Sequence, residues 1–192
     1  MIAGNFRLAA FGAAAAGLMA LSSCATLNEQ QCATVSWVQL GQEDGAAGRP
    51  ASYVQQHEQA CSKHKLPVNR AEWQTGWDVG IRAYCTPANG LSEGREGRYY
   101  ANSCPADLAA DFQTAYHIGK RLYDARTERT RVQNELDALL VKLKDAKKRE
   151  EQDALRLEID LKRSSLYSAD SRVRDAERAL DFYILSSNLP RG

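Results

Sequence analysis

His57, Cys61 and His64 stand four and then three residues apart, so one helix face would present all three. Imidazole and thiolate at that spacing are ligands that zinc accepts. The alternative is a disulfide cysteine between two solvent-facing histidines. The third histidine, His117, follows Tyr116, and packing or capping accounts for it better than service as a base. Glu93 and Glu96 flank Arg95 in "GLSEGREGRYY" and could form a carboxylate pair beside a cleft. Carboxylates in a Gly-rich loop are more often simply solvated. Read as a recognition element, the same loop offers Arg95, Arg98, Tyr99 and Tyr100. The sequence has no Gly-x-Ser-x-Gly elbow, no His-Glu-x-x-His pair and no Gly-x4-Gly-Lys phosphate loop. The expectation is therefore a non-enzymatic chain with no catalytic residues, no cofactor and no metal.

The thiol with the clearest chemistry lies near the start. Arg7 precedes an uncharged run from Leu8 to Leu21, the pattern of a secretory signal peptide over residues 1–23. About 14 apolar residues span only ~21 Å as a helix, short of the ~30 Å hydrocarbon core. Leu21-Ser22-Ser23-Cys24 resembles the bacterial lipobox. That resemblance implies diacylation of the Cys24 thiol, cleavage before it and N-acylation of the new terminus. Ala25 and Thr26 follow with no aspartate, which by the sorting pattern of lipoproteins implies the outer membrane, facing the periplasm. Acyl chains at ~0.8 kcal/mol per buried CH₂ make an effectively permanent anchor.

Charge excludes two partner classes. Arg7 is the only charge in residues 1–23, so the remainder balances 24 acidic against 24 basic side chains. Nucleic acid binding shows as a basic excess or stripe, and polybasic attraction to anionic lipid needs a cluster next to the anchor. Neither is present. The expected partners are the membrane, through the lipid, and an envelope protein or cell-wall component.

Cys32, Cys61, Cys85 and Cys104 remain, all before residue 105. In an oxidising compartment two disulfides are expected, and four cysteines allow three connectivities. An antiparallel pairing of helices 29–46 and 51–65 would favour Cys32–Cys61. Cys85 and Cys104 would then close the 86–103 loop.

These groups need elements to position them. "WVQLGQEDGAAG", "EWQTGWDVGIRAYC" and "DFQTAYHIGKRLYD" share a Gln-x-small-x3-Gly core. Small residues four apart share a helix face and let another backbone come close. Asn28 and Asn69 are candidate N-caps, the latter three residues before Glu72, and Pro50 can start the helix of residues 51–65. From Pro105 to Ser186 there is no proline. Val132, Leu136, Leu139 and Leu143 form one stripe; Leu155, Ile159, Leu166, Val173 and Leu180 form another, with Ala169 and Ala176 beside it. The stripes differ in phase, and the change falls across the apolar-free run Lys147–Asp153. Two antiparallel helices, about 106–146 and 151–186, satisfy both stripes within one chain. One continuous helix is the alternative and would need a partner chain.

"EWQTGWDVGIRAYC", Asn89-Gly90-Leu91, Gly94-Arg95, Gly97, Tyr100, Cys104-Pro105 and "FQTAYHIGKRLY" together resemble a family of uncharacterised proteobacterial lipoproteins, domain of unknown function 2799. The resemblance covers roughly residues 28–125. It implies location and general architecture and supplies no activity. The expected fold is all-α: a lipidated linker 24–28, a cysteine-containing helical repeat domain 29–125, a long helical hairpin 106–186 continuing from it, and a tail 187–192. The expected role is an outer-membrane interaction or structural module. Alternatives are an inhibitor of a cell-wall lytic enzyme and a cell-wall-active enzyme, either one acting through the 86–103 loop.

Overall fold

The computed structural model describes residues 26–189, and these are all-α, with seven helices and no strand. The expected signal peptide over residues 1–23, the lipid-anchor candidate Cys24 and the last three residues of the tail lie outside the described residues. Helices α1 (Glu29–Thr34) and α2 (Trp37–Ala46) divide what the sequence suggests is a single helix over 29–46. The division has a local cause. Val35 is extended, and the Ser36 hydroxyl caps α2 by accepting the Gln39 amide. Pro50 leads a 3-10 turn (Ala51–Tyr53) into α3 (Val54–Ser62). Asn69 caps α4 (Arg70–Tyr84) as its position predicts, through the Glu72 amide.

The stretch expected to be an irregular 86–103 loop is in part a helix, α5 (Pro87–Arg95), capped by Thr86 with Pro87 in its first turn. Its glycines disfavour helix by ~1 kcal/mol each relative to alanine. Tertiary contact offsets that: a Cβ on Gly90 would lie 2.5 Å from the Phe112 carbonyl oxygen, and one on Gly94 would overlap that of Tyr116. Only hydrogen fits there. Both neighbours belong to α6 (Ala106–Asp145), which turns at Ala146–Lys148 into α7 (Arg149–Ser186).

The helices of the head cross as parallel pairs. Gly41 and Gly45 of α2 meet the carbonyls of Trp73 and Trp77, while Gly76 and Gly80 of α4 meet those of Val38 and Gln42. In the second pair Gly90 and Gly94 meet Phe112 and Tyr116, and Gly119 returns to Leu91. The match extends to the ends of the first helix in each pair. Gly48 (φ 72°) lies against the Tyr84 ring and Gly97 (φ 68°) against that of Tyr123. Both are left-handed C-terminal caps, a conformation glycine adopts without strain. Trp77 donates to the Arg49 carbonyl at 2.8 Å and Tyr116 to the Arg98 carbonyl at 2.7 Å. The three similar segments are thus parts of two copies of one unit. α2 with α4 is the first, α5 with the start of α6 the second.

Disulfides Cys32–Cys61 and Cys85–Cys104 tie the head, with Cα–Cα distances of 5.6 and 5.7 Å. The first joins α1 to α3, although the helix packed on α2 is α4. Closing a loop of this size removes about 3 kcal/mol of unfolded-state entropy. Cys85→Ser with Cys104→Ser is therefore expected to lower the unfolding free energy of the head, read from urea melts, by about that amount, without changing its helical circular dichroism at pH 7.

The hairpin is a hairpin and not one continuous helix. Leu136, Leu139 and Ile159 are buried together, with Leu143, Leu155 and Leu166 packed around them. Nearer the head Ala176, Leu180 and Ile184 cover Leu91, Ala115 and Leu122. Arg126–Glu177 (2.9 Å), Arg129–Asp170 (3.1 Å) and Lys162–Glu135 (2.7 Å) fix the register across the two helices. Such exposed pairs contribute little energy; the apolar seam supplies it. Ile159→Ala should cost about 2–4 kcal/mol. Because that distal core draws only on α6 and α7, hydrogen exchange should quicken in residues 130–170 and stay unchanged in α4.

Candidate functional site

Three elements meet at Asp44, and the N-terminal segment joins them through His57. Asp44 lies between Gly41 and Gly45 on α2 and is 1 % exposed. His57 Nε2 (2.8 Å) and Trp73 Nε1 (2.8 Å) both meet its Oδ2, and Arg49 donates to Oδ1. His57 Nδ1 lies 2.9 Å from Thr26 Oγ1, whose hydroxyl also reaches the Gln56 carbonyl at 3.2 Å. Burial raises the Asp44 carboxyl pKa, but the bonds from His57, Trp73 and Arg49 outweigh it and hold the group below its ordinary value.

Hydroxyl, imidazole and carboxylate in that order have the connectivity of a nucleophile with its base. Here the order serves as a clamp. Both imidazole nitrogens and both carboxylate oxygens are engaged inside the chain, and His57 is 2 % exposed. The His57–Cys61–His64 face is taken apart: Cys61 is bonded to Cys32, and His64 turns to Glu29 at 3.6 Å. His57 is therefore the tie between α2, α3 and the segment that follows Cys24. Asp44 and Trp73 escaped the sequence reading. The available signal was one acid on the glycine side of α2, where a charge needs a partner.

The second unit repeats the clamp with other residues. Glu93 takes the place of Asp44 and Arg98 that of Arg49, bonded at 2.5 Å. Arg98 also binds Glu96, and Tyr84 donates to Glu93 at 3.3 Å. Burial, together with the Glu93 charge, pushes the Tyr84 hydroxyl well above its ordinary pKa. The four recognition candidates are thereby separated. Tyr100 is buried against Phe112 and Tyr116, Arg98 is held by two carboxylates, and Arg95 and Tyr99 face outward, Tyr99 86 % exposed. The 86–103 stretch does not reach out as a loop, since α5 lies on α6 with Leu91 under α7.

The distal hairpin carries a different surface. Val141 (61 %) on α6 and Leu157 (65 %) and Leu161 (63 %) on α7 are exposed in the distal half of the hairpin, Val141 beside the end where the helices turn. Val141, Ala154 and Leu155 line an open groove of about 670 Å³ there, rimmed by Lys142, Lys148 and Glu158. Leu157 and Leu161 lie off the buried stripe of α7. Two leucines four apart and outside the seam were the legible sign of this surface.

The family model described as "Protein of unknown function (DUF2799)" matches residues 36–121, from the cap of α2 into α6. These bounds take in both helix-pair units and leave α1 and the distal hairpin outside. No curated protein and no solved structure matches the chain.

Proposed function

We propose that this chain, whose residues 36–121 carry the domain of unknown function DUF2799, is an outer-membrane lipoprotein that holds a helical arm toward an envelope partner. Acylated Cys24 is the anchor, the disulfide-tied head is the mount, and the hairpin is the non-enzymatic interaction element, facing the periplasm. One observation carries this reading. The distal hairpin has a seam of its own and still exposes Leu157 and Leu161 along α7, with Val141 at a separate groove near the turn. Leu157 and Leu161, four residues apart on one helix, are neighbours, and adjacent exposed apolar side chains mark surfaces that other molecules cover.

The test is a photo-crosslinker at Glu158 in acylated protein in native envelope, with and without Leu157→Glu and Leu161→Glu. Loss of a defined adduct at unchanged thermal midpoint supports the arm. An adduct indifferent to both substitutions sinks it. Removing residues 126–192 is a poorer test, because it also strips Ala176, Leu180 and Ile184 from Leu91 and Leu122.

Inhibition of a cell-wall lytic enzyme is the second reading, favoured by Tyr99, exposed beside an Arg98 fixed by Glu93 and Glu96. A crosslinker at Tyr99 capturing such an enzyme would support it. A cell-wall-active enzyme using Glu93 and Glu96 gains no support, since both carboxylates are engaged by Arg98.

A further inference from the structure

The described chain begins at Thr26, and that residue is already fastened. Its hydroxyl is bound between His57 and the Gln56 carbonyl, and the next residue, Leu27, is 5 % exposed within the core of the head. Two residue steps separate Thr26 from Cys24, a reach of about 7 Å at most. The headgroup layer beside the hydrocarbon is itself only about 5–8 Å thick on each side. If acyl chains enter the bilayer from Cys24, whatever adjoins Thr26 stands at headgroup depth.

What adjoins it is a short run of contacts. His57 meets Thr26, the Tyr53 ring packs edge-on against His57 with centroids 5.2 Å apart, and the Arg49 guanidinium lies 4.5 Å above the Tyr53 ring. Arg49 is 44 % exposed, and Asp44 takes only one of its five N–H donors. Guanidinium groups bind phosphate through two parallel hydrogen bonds, and tyrosine rings favour the membrane–water boundary.

We propose that the end of the head formed by Arg49, Ser52, Tyr53 and Gln56 lies against phospholipid headgroups, with Arg49 on lipid phosphate. This rests on the acylation of Cys24 proposed above. The head then does not tumble on a tether; it has one face down, and the direction of the hairpin is set by that face.

The experiment uses full-length acylated protein, with disulfides intact, in vesicles of phosphatidylethanolamine and phosphatidylglycerol containing a headgroup spin-labelled lipid. A fluorescent unnatural amino acid is placed in turn at Ser52 and at Lys65, which lie at opposite ends of the segment containing α3 and are both exposed. Mass analysis of the N-terminal peptide comes first. A peptide without acyl groups overturns the anchor reading and this proposal together. With acylation present, quenching severalfold stronger at Ser52 than at Lys65, weakened by Arg49→Lys, is the expected result. That substitution keeps the charge beside Asp44 and removes the planar fork. Equal quenching at the two positions, or stronger quenching at Lys65, overturns the docking face and leaves the anchor standing. Ser52 quenching unaltered by Arg49→Lys overturns the role of Arg49.

Discussion

Gly76→Ala is expected to lower the thermal midpoint of the head by about 6–12 °C, followed by near-ultraviolet circular dichroism. Two effects oppose each other. Alanine gains ~1 kcal/mol of helix propensity over glycine. The new methyl, however, would overlap the Val38 carbonyl carbon and oxygen and crowd the Gln42 amide, all backbone atoms. Backbone cannot rotate aside as a side chain does, so α2 and α4 must separate and loosen Trp37, Trp73 and Trp77. Overpacking of this kind costs 1–3 kcal/mol and sometimes more. Taking about 3 kcal/mol as the net loss, and 2–4 °C per kcal/mol for a chain of this size, gives the range above. Thr75→Ala, one residue away and exposed, is the matched control and should leave the midpoint within a degree or two. A Gly76→Ala protein melting with the wild type would mean that the two backbones do not cross so closely.

Asp44→Ala should be about as severe, near 3–5 kcal/mol, because it orphans three donors rather than removing one bond. His57, Trp73 and Arg49 would all lose an acceptor, the first two deep in the core. Trp73→Phe separates the two kinds of loss, since it removes one donor and strands none of the others; about 1 kcal/mol beyond its packing change is expected. Acid gives an independent reading. The folded pKa of Asp44 lies below its ordinary 3.8, so the unfolded chain takes up the proton first as pH falls. The stabilisation is complete above about pH 4 and declines as the pH drops through the folded value. Urea melts from pH 7 to 3 should therefore show a steeper acid limb in the wild type than in Asp44→Ala. Parallel limbs would remove Asp44 from the account of head stability.

Local signals were the legible ones. Asn69 before Arg70-Ala71-Glu72 marked a helix start, and the phase break across Lys147–Asp153 marked the turn, so the expected helices 106–146 and 151–186 fall within a few residues of α6 and α7. Both favoured disulfides are present: Cys85–Cys104 closes its own short stretch, whereas Cys32–Cys61 forms between α1 and α3 although the antiparallel pairing of 29–46 with 51–65 that favoured it gives way to α2 on α4. The same reasoning failed where distant segments decide. Gly90, Gly94 and Gly97 read as turn signals, yet the first two sit inside α5, and only contact with Phe112 and Tyr116 explains them. The glycine repeat was visible, but nothing in α2 says that its partner is α4 and not the helix next along the chain. Asp44 was hidden for the same reason. Its donors arrive from residues 49, 57 and 73, and a carboxylate on a short polar helix otherwise reads as solvated.

The two disulfides also determine how the molecule would carry a pull between its first residues and the hairpin. Tension entering at Thr26 reaches Cys32, crosses to Cys61, follows the chain through α4 to Cys85, and crosses again to Cys104 at the foot of α6. The 29- and 19-residue stretches bypassed on the way contain α2 and α5, which stay slack. Without the cross-links those stretches would pay out roughly 100 Å and 65 Å of chain when extended. With them, both glycine crossings keep one helix off the line of force, and only the unbridged stretch between Cys61 and Cys85, which contains α4, is left to give way.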